Sequence, residues 1–263
     1  MIKSQNTYKI ISNKQVSEKF FHICIDAKSI LKKIKPGQFV HVKIDDTLTP
    51  FLRRPFSIHR ADSCLEILYE ILGEGTKKLA KKKKGDSLDI IGPLGNNFSA
   101  PPEGTKNITI VTGGVGVAPF LALTDILKNK KYNITLLYGG RNSDYVFSLK
   151  SFLKNKCKVF ISTDDGSVGV HGRVDKFFKN ISFEDAFIYT CGPEPMIKEV
   201  QKFAVKNKIK GEASLEEVMA CGIGACLGCA TKTKDGFKLV CYDGPVFDLE
   251  KLDFNANGKC KCK

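Results

Sequence analysis

Cys221, Cys226 and Cys229 follow a C-x4-C-x2-C spacing, with Cys241 further on, and this set constrains the chain more than anything else in it. A 2Fe–2S cluster needs two thiolates for each iron, so four sulfurs must converge on a core a few ångströms across, and this ligand spacing suits it. The loop from Cys221 to Cys229 supplies three of them. Its glycines Gly222, Gly224 and Gly228 are expected to let the backbone curl with positive φ and turn N–H groups toward the sulfurs. The fourth is expected on a short strand, Lys238–Cys241. Zinc is the main rival for any four-cysteine set, although its sites usually show two paired C-x2-C knuckles. Four cysteines buried by chance are the bland alternative. The spacing favours a carrier of single electrons.

At 263 residues, 42% of them hydrophobic, the chain has room for two or three domains with real cores. No run approaches the ~18 apolar residues of a membrane span. The first residues lack the apolar stretch of a signal peptide, so a cytoplasmic location is expected. In a reducing compartment the ten cysteines imply metal ligands and buried free thiols rather than disulfides. Cys24, Cys64 and Cys157 sit in apolar segments and read as core residues. Cys260 and Cys262 read as a frayed tail rather than a second metal site. The formal charge of +14 raises nucleic-acid binding, but the lysines are scattered and no basic stripe is interleaved with aromatics. The one dense run, Lys81 to Lys84, precedes Gly85-Asp86 and reads as a solvated turn.

Residues 1–101 alternate in short strand-like segments, such as Phe20–Ile25, Gln38–Ile44, Phe56–His59 and Leu65–Ile71, separated by turn residues. That rhythm predicts a small antiparallel β-barrel. Pro101-Pro102-Glu103-Gly104 reads as a linker. Over 102–211, apolar strands alternate with helical periodicity, which predicts an α/β domain with a parallel sheet and crossover helices. Residues 212–263 form the small C-terminal cluster module. The fold class is thus multidomain.

Two stretches of the barrel carry chemistry. Arg54, Pro55, Phe56 and Ser57 form an extended segment in which Pro55 and Ser57 project to one side and Phe56 to the other. An Arg can clamp a pyrophosphate and a Ser hydroxyl can bond a ring nitrogen; an exposed edge strand is the plain alternative. Leu68, Tyr69 and Glu70 then lead to Gly75 and Thr76, which open a short helix. Its free N–H groups suit phosphate oxygens, or form an ordinary capped turn.

In the second domain, an apolar strand runs into Gly113, Gly114 and Gly116 and then a helix. Strand, glycine turn and helix bring backbone amides against a phosphate, though this is not the Gly-x-Gly-x-x-Gly pattern. A later strand ends in Cys191, Gly192 and Pro193, at the sheet edge where ligands of open α/β folds bind. Cys191 reads either as a residue near that ligand or as a small buried hydrophobe.

Taken in order, Arg-Pro-Phe-Ser, Gly-Gly-Val-Gly-Val-Ala-Pro, Cys-Gly-Pro-Glu-Pro-Met and the cysteine module make the chain resemble the ferredoxin–NADP reductase superfamily. Within it, the chain is most similar to the electron-transfer subunits of NAD-dependent (class 1B) dihydroorotate dehydrogenases. The stretches that carry this include Gly92-Pro93-Leu94-Gly95-Asn96, Leu215-Glu216-Glu217-Val218-Met219-Ala220-Cys221 and Cys241-Tyr242-Asp243-Gly244-Pro245-Val246-Phe247. The resemblance implies FAD in the barrel, lined by Arg54 to Ser57, Leu68 to Glu70, Gly75 and Thr76. It implies NAD over the second domain, at Gly113, Gly114, Gly116 and Cys191 to Pro193, with Cys191 near the nicotinamide. The family usually has Ile at the position of Phe56 and often a basic residue at that of Glu70. Arg141 can reach a 2′-phosphate or cap its strand.

The resemblance further implies an accessory subunit in pyrimidine biosynthesis. Electrons would pass from the FMN of a dihydroorotate dehydrogenase catalytic subunit, through the 2Fe–2S cluster and FAD, to NAD+. The three assigned domains leave no residues for a (β/α)8 barrel of about 250 residues, so no dihydroorotate site of its own is expected; the resemblance implies a heterotetramer of two catalytic and two electron-transfer subunits. Neither nucleic acid nor membrane is an expected partner. The alternatives are the α subunit of an NADH-dependent ferredoxin–NADP oxidoreductase (sulfide dehydrogenase), a reductase feeding an oxygenase, and a cluster-bearing sensor that binds a partner without catalysis.

Overall fold

The computed structural model describes residues 4–254, so Cys260 and Cys262 lie outside the described residues. The first part is a closed six-stranded barrel of β1 (Ser4–Ser17), β2 (Phe20–Ile25), β3 (Phe39–Lys43), β4 (Arg54–Ala61), β5 (Leu65–Glu70) and β6 (Ser87–Leu94), in the order β1-β2-β5-β4-β3-β6. All neighbours within it are antiparallel. Two short helices, α1 (Lys28–Leu31) and α2 (Glu74–Lys81), fill its connections. Alternation along the strands sends Val40, Val42, Phe56, Ile58, Ile67 and Tyr69 inward to a single apolar core. The partners of that alternation, Phe39, His41, Pro55 and Ser57, consequently share the outer face of β3 and β4.

The second part follows the expected alternation: β7 (Asn107–Gly113), α3 (Phe120–Leu127), β8 (Asn133–Gly140), α4 (Leu149–Lys154), β9 (Lys158–Thr163), β10 (Val170–His171), β11 (Ala186–Cys191), α5 (Glu194–Lys206) and β12 (Lys210–Ser214). A hairpin of β13 (Ala230–Thr233) and β14 (Gly236–Leu239) follows, and β15 (Val246–Asp248) closes the module. The seven-stranded sheet runs β10-β9-β8-β7-β11-β12-β15, parallel except for β15, which lies antiparallel to β12. The division expected after residue 211 therefore falls inside β12. The chain leaves the sheet at Ser214, forms the cysteine loop and hairpin, and returns to the same sheet edge.

Asn96 anchors that return. Its side-chain amide donates to the Asp243 carbonyl at 2.9 Å and the Val246 carbonyl at 2.7 Å, while its Oδ1 accepts from the Val246 amide at 2.9 Å. Two distant motifs, Gly92–Asn96 and Cys241–Phe247, thus meet as one joint. The barrel and the α/β domain are held together as well. Arg60 grips Asp125 through Nε and Nη2 at 2.7 and 2.9 Å, and buried His59 contacts the Ala118 carbonyl through Nδ1 at 2.9 Å. Phe98, beyond the end of β6, stacks on Phe120 at 5.4 Å.

Cys24 and Cys64 depart from the expectation of free core thiols. Pairing of β2 with β5 brings their Cα atoms to 6.0 Å, and they form a disulfide. Cys157 is a buried free thiol, and burial pushes its pKa up to about 12. No helix among the described residues is long and apolar enough to cross a membrane.

Candidate functional site

The cysteine loop folds around its own sulfurs. The amides of Ile223, Ala225 and Cys226 point at Cys221 Sγ from 3.4, 3.3 and 3.4 Å, and that of Gly224 at Cys241 Sγ from 3.2 Å. Gly222 and Gly224 adopt φ of 68° and 90°, as the loop requires. Gly228 does not: the third left-handed residue is Leu227, at φ 61°. The fourth ligand also sits differently from expectation, since β14 ends at Leu239 and Cys241 lies in the turn beyond it. That turn places the Cys241 amide 3.4 Å from Cys229 Sγ.

Among the described residues, no three His, Cys, Asp or Glu side chains converge on a single ion. The thiols stand instead as two pairs, Cys221 with Cys226 and Cys229 with Cys241. Two irons with two thiolates each fit that arrangement, and amides aimed at the sulfurs stabilise their negative charge. Burial opposes ionisation of Cys221, yet the Ile223 and Cys226 amides, the Cys226 thiol and the Ala225 amide outweigh it and hold the thiol at about 6. Burial first, then the neighbouring Cys229 thiol, pushes Cys241 up to about 12; a bound cation reverses that preference. Cys229 and Cys241 are buried whereas Cys226 is exposed, so one edge of the loop reaches the surface.

The module's inner side packs on the barrel. Phe39 is 3% exposed and joins Cys229, Val240 and Cys241 in one apolar cluster; burying a Phe contributes about 2 kcal/mol. His41, two residues on, is fully buried against Gly222, where an added Cβ would come within 2.9 Å of the His41 Cε1 atom. Burial and the nearby Arg53 charge push this imidazole down to about 4.

On the adjacent strand, Phe39 pairs with Ser57 and His41 with Pro55. Pro55 and Ser57 stay partly open while Phe56 turns into the barrel and packs edge-on against Tyr69, ring centroids 5.7 Å apart. Only the backbone of Phe56 remains for the outer face. Tyr69 is likewise internal, and its hydroxyl donates to Asn13 Oδ1 at 3.0 Å. Leu68 and Glu70 point the other way, toward the α/β domain. Arg54 makes no ion pair among the described residues; its Nη1 donates to the Leu52 carbonyl at 2.6 Å. Its guanidinium lies over Gly75, where a Cβ would approach Nε to 3.0 Å. Arg54 and the start of α2 thus form one cradle, positive by charge and by helix dipole. Thr76 Oγ1 is occupied with the amides of Leu72 and Gly73, at 2.9 and 3.2 Å, which leaves its backbone amide for an anion.

A cleft of about 2100 Å³ opens between the domains. Gly113, Gly114 and Gly116 form one wall and Gly192 with Pro193 the next, and the cleft reaches Cys226 of the cluster loop. The two turns touch so closely that a Cβ on Gly116 would lie 2.5 Å from the Cys191 carbonyl oxygen. Cys191 itself is fully buried behind them, and burial keeps its thiol neutral, well above the ordinary range. Arg141 stands at the cleft with its guanidinium 5.5 Å from the Tyr145 ring centroid.

Three contributors escape sequence reasoning. Glu216 enters the cleft from the end of β12 near Glu70; although open to cleft water, it is surrounded by enough protein, with the Glu70 charge, to hold its carboxyl above the usual range. His41 lies in no motif, and Asn96 closes the Gly92–Asn96 stretch without any signal that it acts as a joint. Glu216 lies in a stretch notable beforehand only through family resemblance.

The iron-sulfur cluster binding domain of dihydroorotate dehydrogenase B matches residues 216–253, and the oxidoreductase NAD-binding domain matches residues 110–202. Similar sequences include the dihydroorotate dehydrogenase B (NAD(+)) electron transfer subunits of Caldanaerobacter subterraneus subsp. tengcongensis, 40% identical over 94% of this chain and 97% of the relative, and Desulforamulus reducens, 38% identical over 91% and 94%. A solved NADH-dependent reduced ferredoxin–NADP oxidoreductase superposes with a TM-score of 0.83 at 29% identity, covering 94% of this chain and 89% of that one. A ferredoxin NADP+ reductase from Neisseria gonorrhoeae with bound FAD and NADP shares the fold, at TM-score 0.66 and 17% identity, over 77% and 91% of the two chains.

Proposed function

The chain belongs to the family of electron-transfer subunits of NAD-dependent dihydroorotate dehydrogenase B, and from that premise we propose how its geometry serves the task. It is an oxidoreductase subunit that carries a 2Fe–2S cluster and FAD and passes electrons from a catalytic partner to NAD+. The observation that supports the path is the shared outer face of β3 and β4, with the cluster loop on Phe39 and His41 and the flavin strand at Pro55 and Ser57.

When bound, FAD exchanges two electrons with a nicotinamide and one at a time with an iron–sulfur centre. The chain's own residues do the positioning. Arg54 and the first amides of α2 hold the flavin's pyrophosphate, and the Ser57 hydroxyl and the backbone of Pro55 and Phe56 line its ring. Leu68, Glu70 and the backbone of Tyr69 bound it from β5. The glycine turns at 113–116 and at Gly192-Pro193 let NAD approach that ring through backbone contacts, with Cys191 packed beneath. Cys221, Cys226, Cys229 and Cys241 would hold the cluster, and their loop reaches the surface at the exposed Cys226.

The donor we propose is the FMN of the catalytic subunit, in a heterotetramer of two catalytic and two electron-transfer subunits in the cytoplasm. Dihydroorotate is oxidised on that partner and not on this chain. The likeness to the NADH-dependent reduced ferredoxin–NADP oxidoreductase supports a second reading, but at 29% identity against 40% for the dihydroorotate dehydrogenase relative it is the weaker. Co-purification from the native host separates the two: an FMN-containing partner that oxidises dihydroorotate supports the first, and a ferredoxin- and NADP-linked partner contradicts it.

A further inference from the structure

We propose that His41 is the positioning residue that holds the cluster ligand Cys221 in register with the flavin-binding strand. The inference rests on the cluster and flavin assignments above and adds a residue that neither assignment includes.

His41 is 0% exposed, yet neither ring nitrogen has a hydrogen-bond partner of normal geometry among the described residues. The backbone carbonyls of Cys221 and Arg53 lie beside the ring. A buried polar atom without a partner costs about 1–3 kcal/mol, and Leu or Phe would fill the same space without that cost. An imidazole here therefore calls for a reason beyond packing.

Its neighbours supply one. On one side the ring meets Gly222, the residue after the ligand Cys221, so closely that a Cβ there would sit 3.0 Å from the His41 Cγ atom and nearer still to Nδ1. Gly222 also holds φ at 68°, so this contact and the loop's curl are one feature. On the other side His41 is the cross-strand partner of Pro55, inside the Arg54–Ser57 segment. Directly opposed side chains on one sheet face stand about 5 Å apart. His41 is thus the residue that touches both the backbone of a cluster ligand and the flavin strand. The Cys221 carbonyl is the acceptor nearest its ring on the cluster side. Groups that hold a metal ligand from behind commonly alter affinity or activity 10- to 100-fold, by about that factor, when lost.

The test uses the isolated protein loaded with FAD and iron, comparing wild type with His41→Leu, which keeps volume, and His41→Gln, which restores an N–H. Three quantities are read: iron and FAD per chain, the electron paramagnetic resonance spectrum of the reduced cluster, and the rate at which NADH bleaches the cluster in stopped flow. The expected result for His41→Leu is unchanged FAD, a shifted or broadened cluster spectrum and bleaching slowed about tenfold or more. His41→Gln should recover most of both. A wild-type spectrum and rate in His41→Leu overturns the proposal, as does equal impairment of the two variants, which would make His41 a packing residue. If His41→Leu cannot hold iron, His41→Gln decides: iron retained supports the proposal, and iron lost overturns it. None of these readouts uses dihydroorotate or a partner subunit, so failure of the dihydroorotate reading would leave the result standing.

Discussion

Phe39 and Ser57 are Cα partners across β3 and β4, and they divide the outer barrel face between the packed cysteine module and the open segment proposed for the flavin. Phe39 is buried in the same apolar cluster as Cys229 and Cys241, whereas Ser57 remains partly open on β4. Opposed residues of an antiparallel pair are about 5 Å apart, so the backbone itself sets how near the cluster module comes to the flavin segment. The Asn96 joint locks the module from the far side.

Arg54→Ala should weaken FAD binding about tenfold or more, because a charge-assisted contact contributes roughly 1.5–3 kcal/mol. The guanidinium has no carboxylate to satisfy among the described residues and lies over the first turn of α2. Flavin content after dilution and a titration with FAD measure this. Equal affinity in variant and wild type would place the pyrophosphate elsewhere.

Cys226→Ser should leave a protein that keeps FAD and its fold but loses most of its iron and its red-brown colour. Cys226 is exposed, so the change leaves the packed Cys229 and Cys241 in place. Metal analysis of anaerobically purified wild type should give about two irons per chain. Zinc in their place would contradict the cluster assignment.

Gly116→Ala drives a methyl into the Cys191 carbonyl oxygen, 2.5 Å away, and the Gly192 Cα, 2.6 Å away. Both are backbone atoms, so the two turns must separate. The expected loss is about 1–3 kcal/mol, seen as a lower Tm, together with a raised KM for NADH. An unchanged KM would show that these turns do not shape the nicotinamide cleft.

Burial keeps His59 neutral in the folded protein, its pKa pushed from 6.5 to about 4. Between those values the unfolded chain binds a proton that the native state refuses, so stability is intact above pH 6.5 and falls as pH falls toward 4. Full protonation removes on the order of 3 kcal/mol. His59→Asn, which does not titrate, should lose less stability than wild type over that window in denaturant unfolding. Parallel curves for the two proteins would contradict this assignment.

Much of this was legible because the signals were local. The glycine turns and the two-residue alternation of Arg54–Ser57 specify their own geometry and the structure keeps them, whereas the cysteine loop curls at Leu227 rather than Gly228 and carries Cys241 in a turn. The long β1 was harder, since only Tyr8 and Ile10 of its fourteen residues are buried and little alternation shows. The return of β15 to the sheet depends on Asn96, far away in sequence, which no window around residue 246 reveals. The Cys24–Cys64 bond, across 40 residues, needs the β2–β5 register before the two sulfurs become neighbours. His41 reads as an ordinary strand residue until the module that covers it is in place.

In the proposed route, electrons leave dihydroorotate on a partner and reach NAD+ only through this chain's cluster. The most direct measurement is NADH formation from dihydroorotate and NAD+, followed for the chain alone, for the chain with its catalytic partner, and for the Cys226→Ser chain with the same partner. NADH is expected only from the wild-type mixture. NADH from the chain alone, or a full rate from the Cys226→Ser complex, would contradict it.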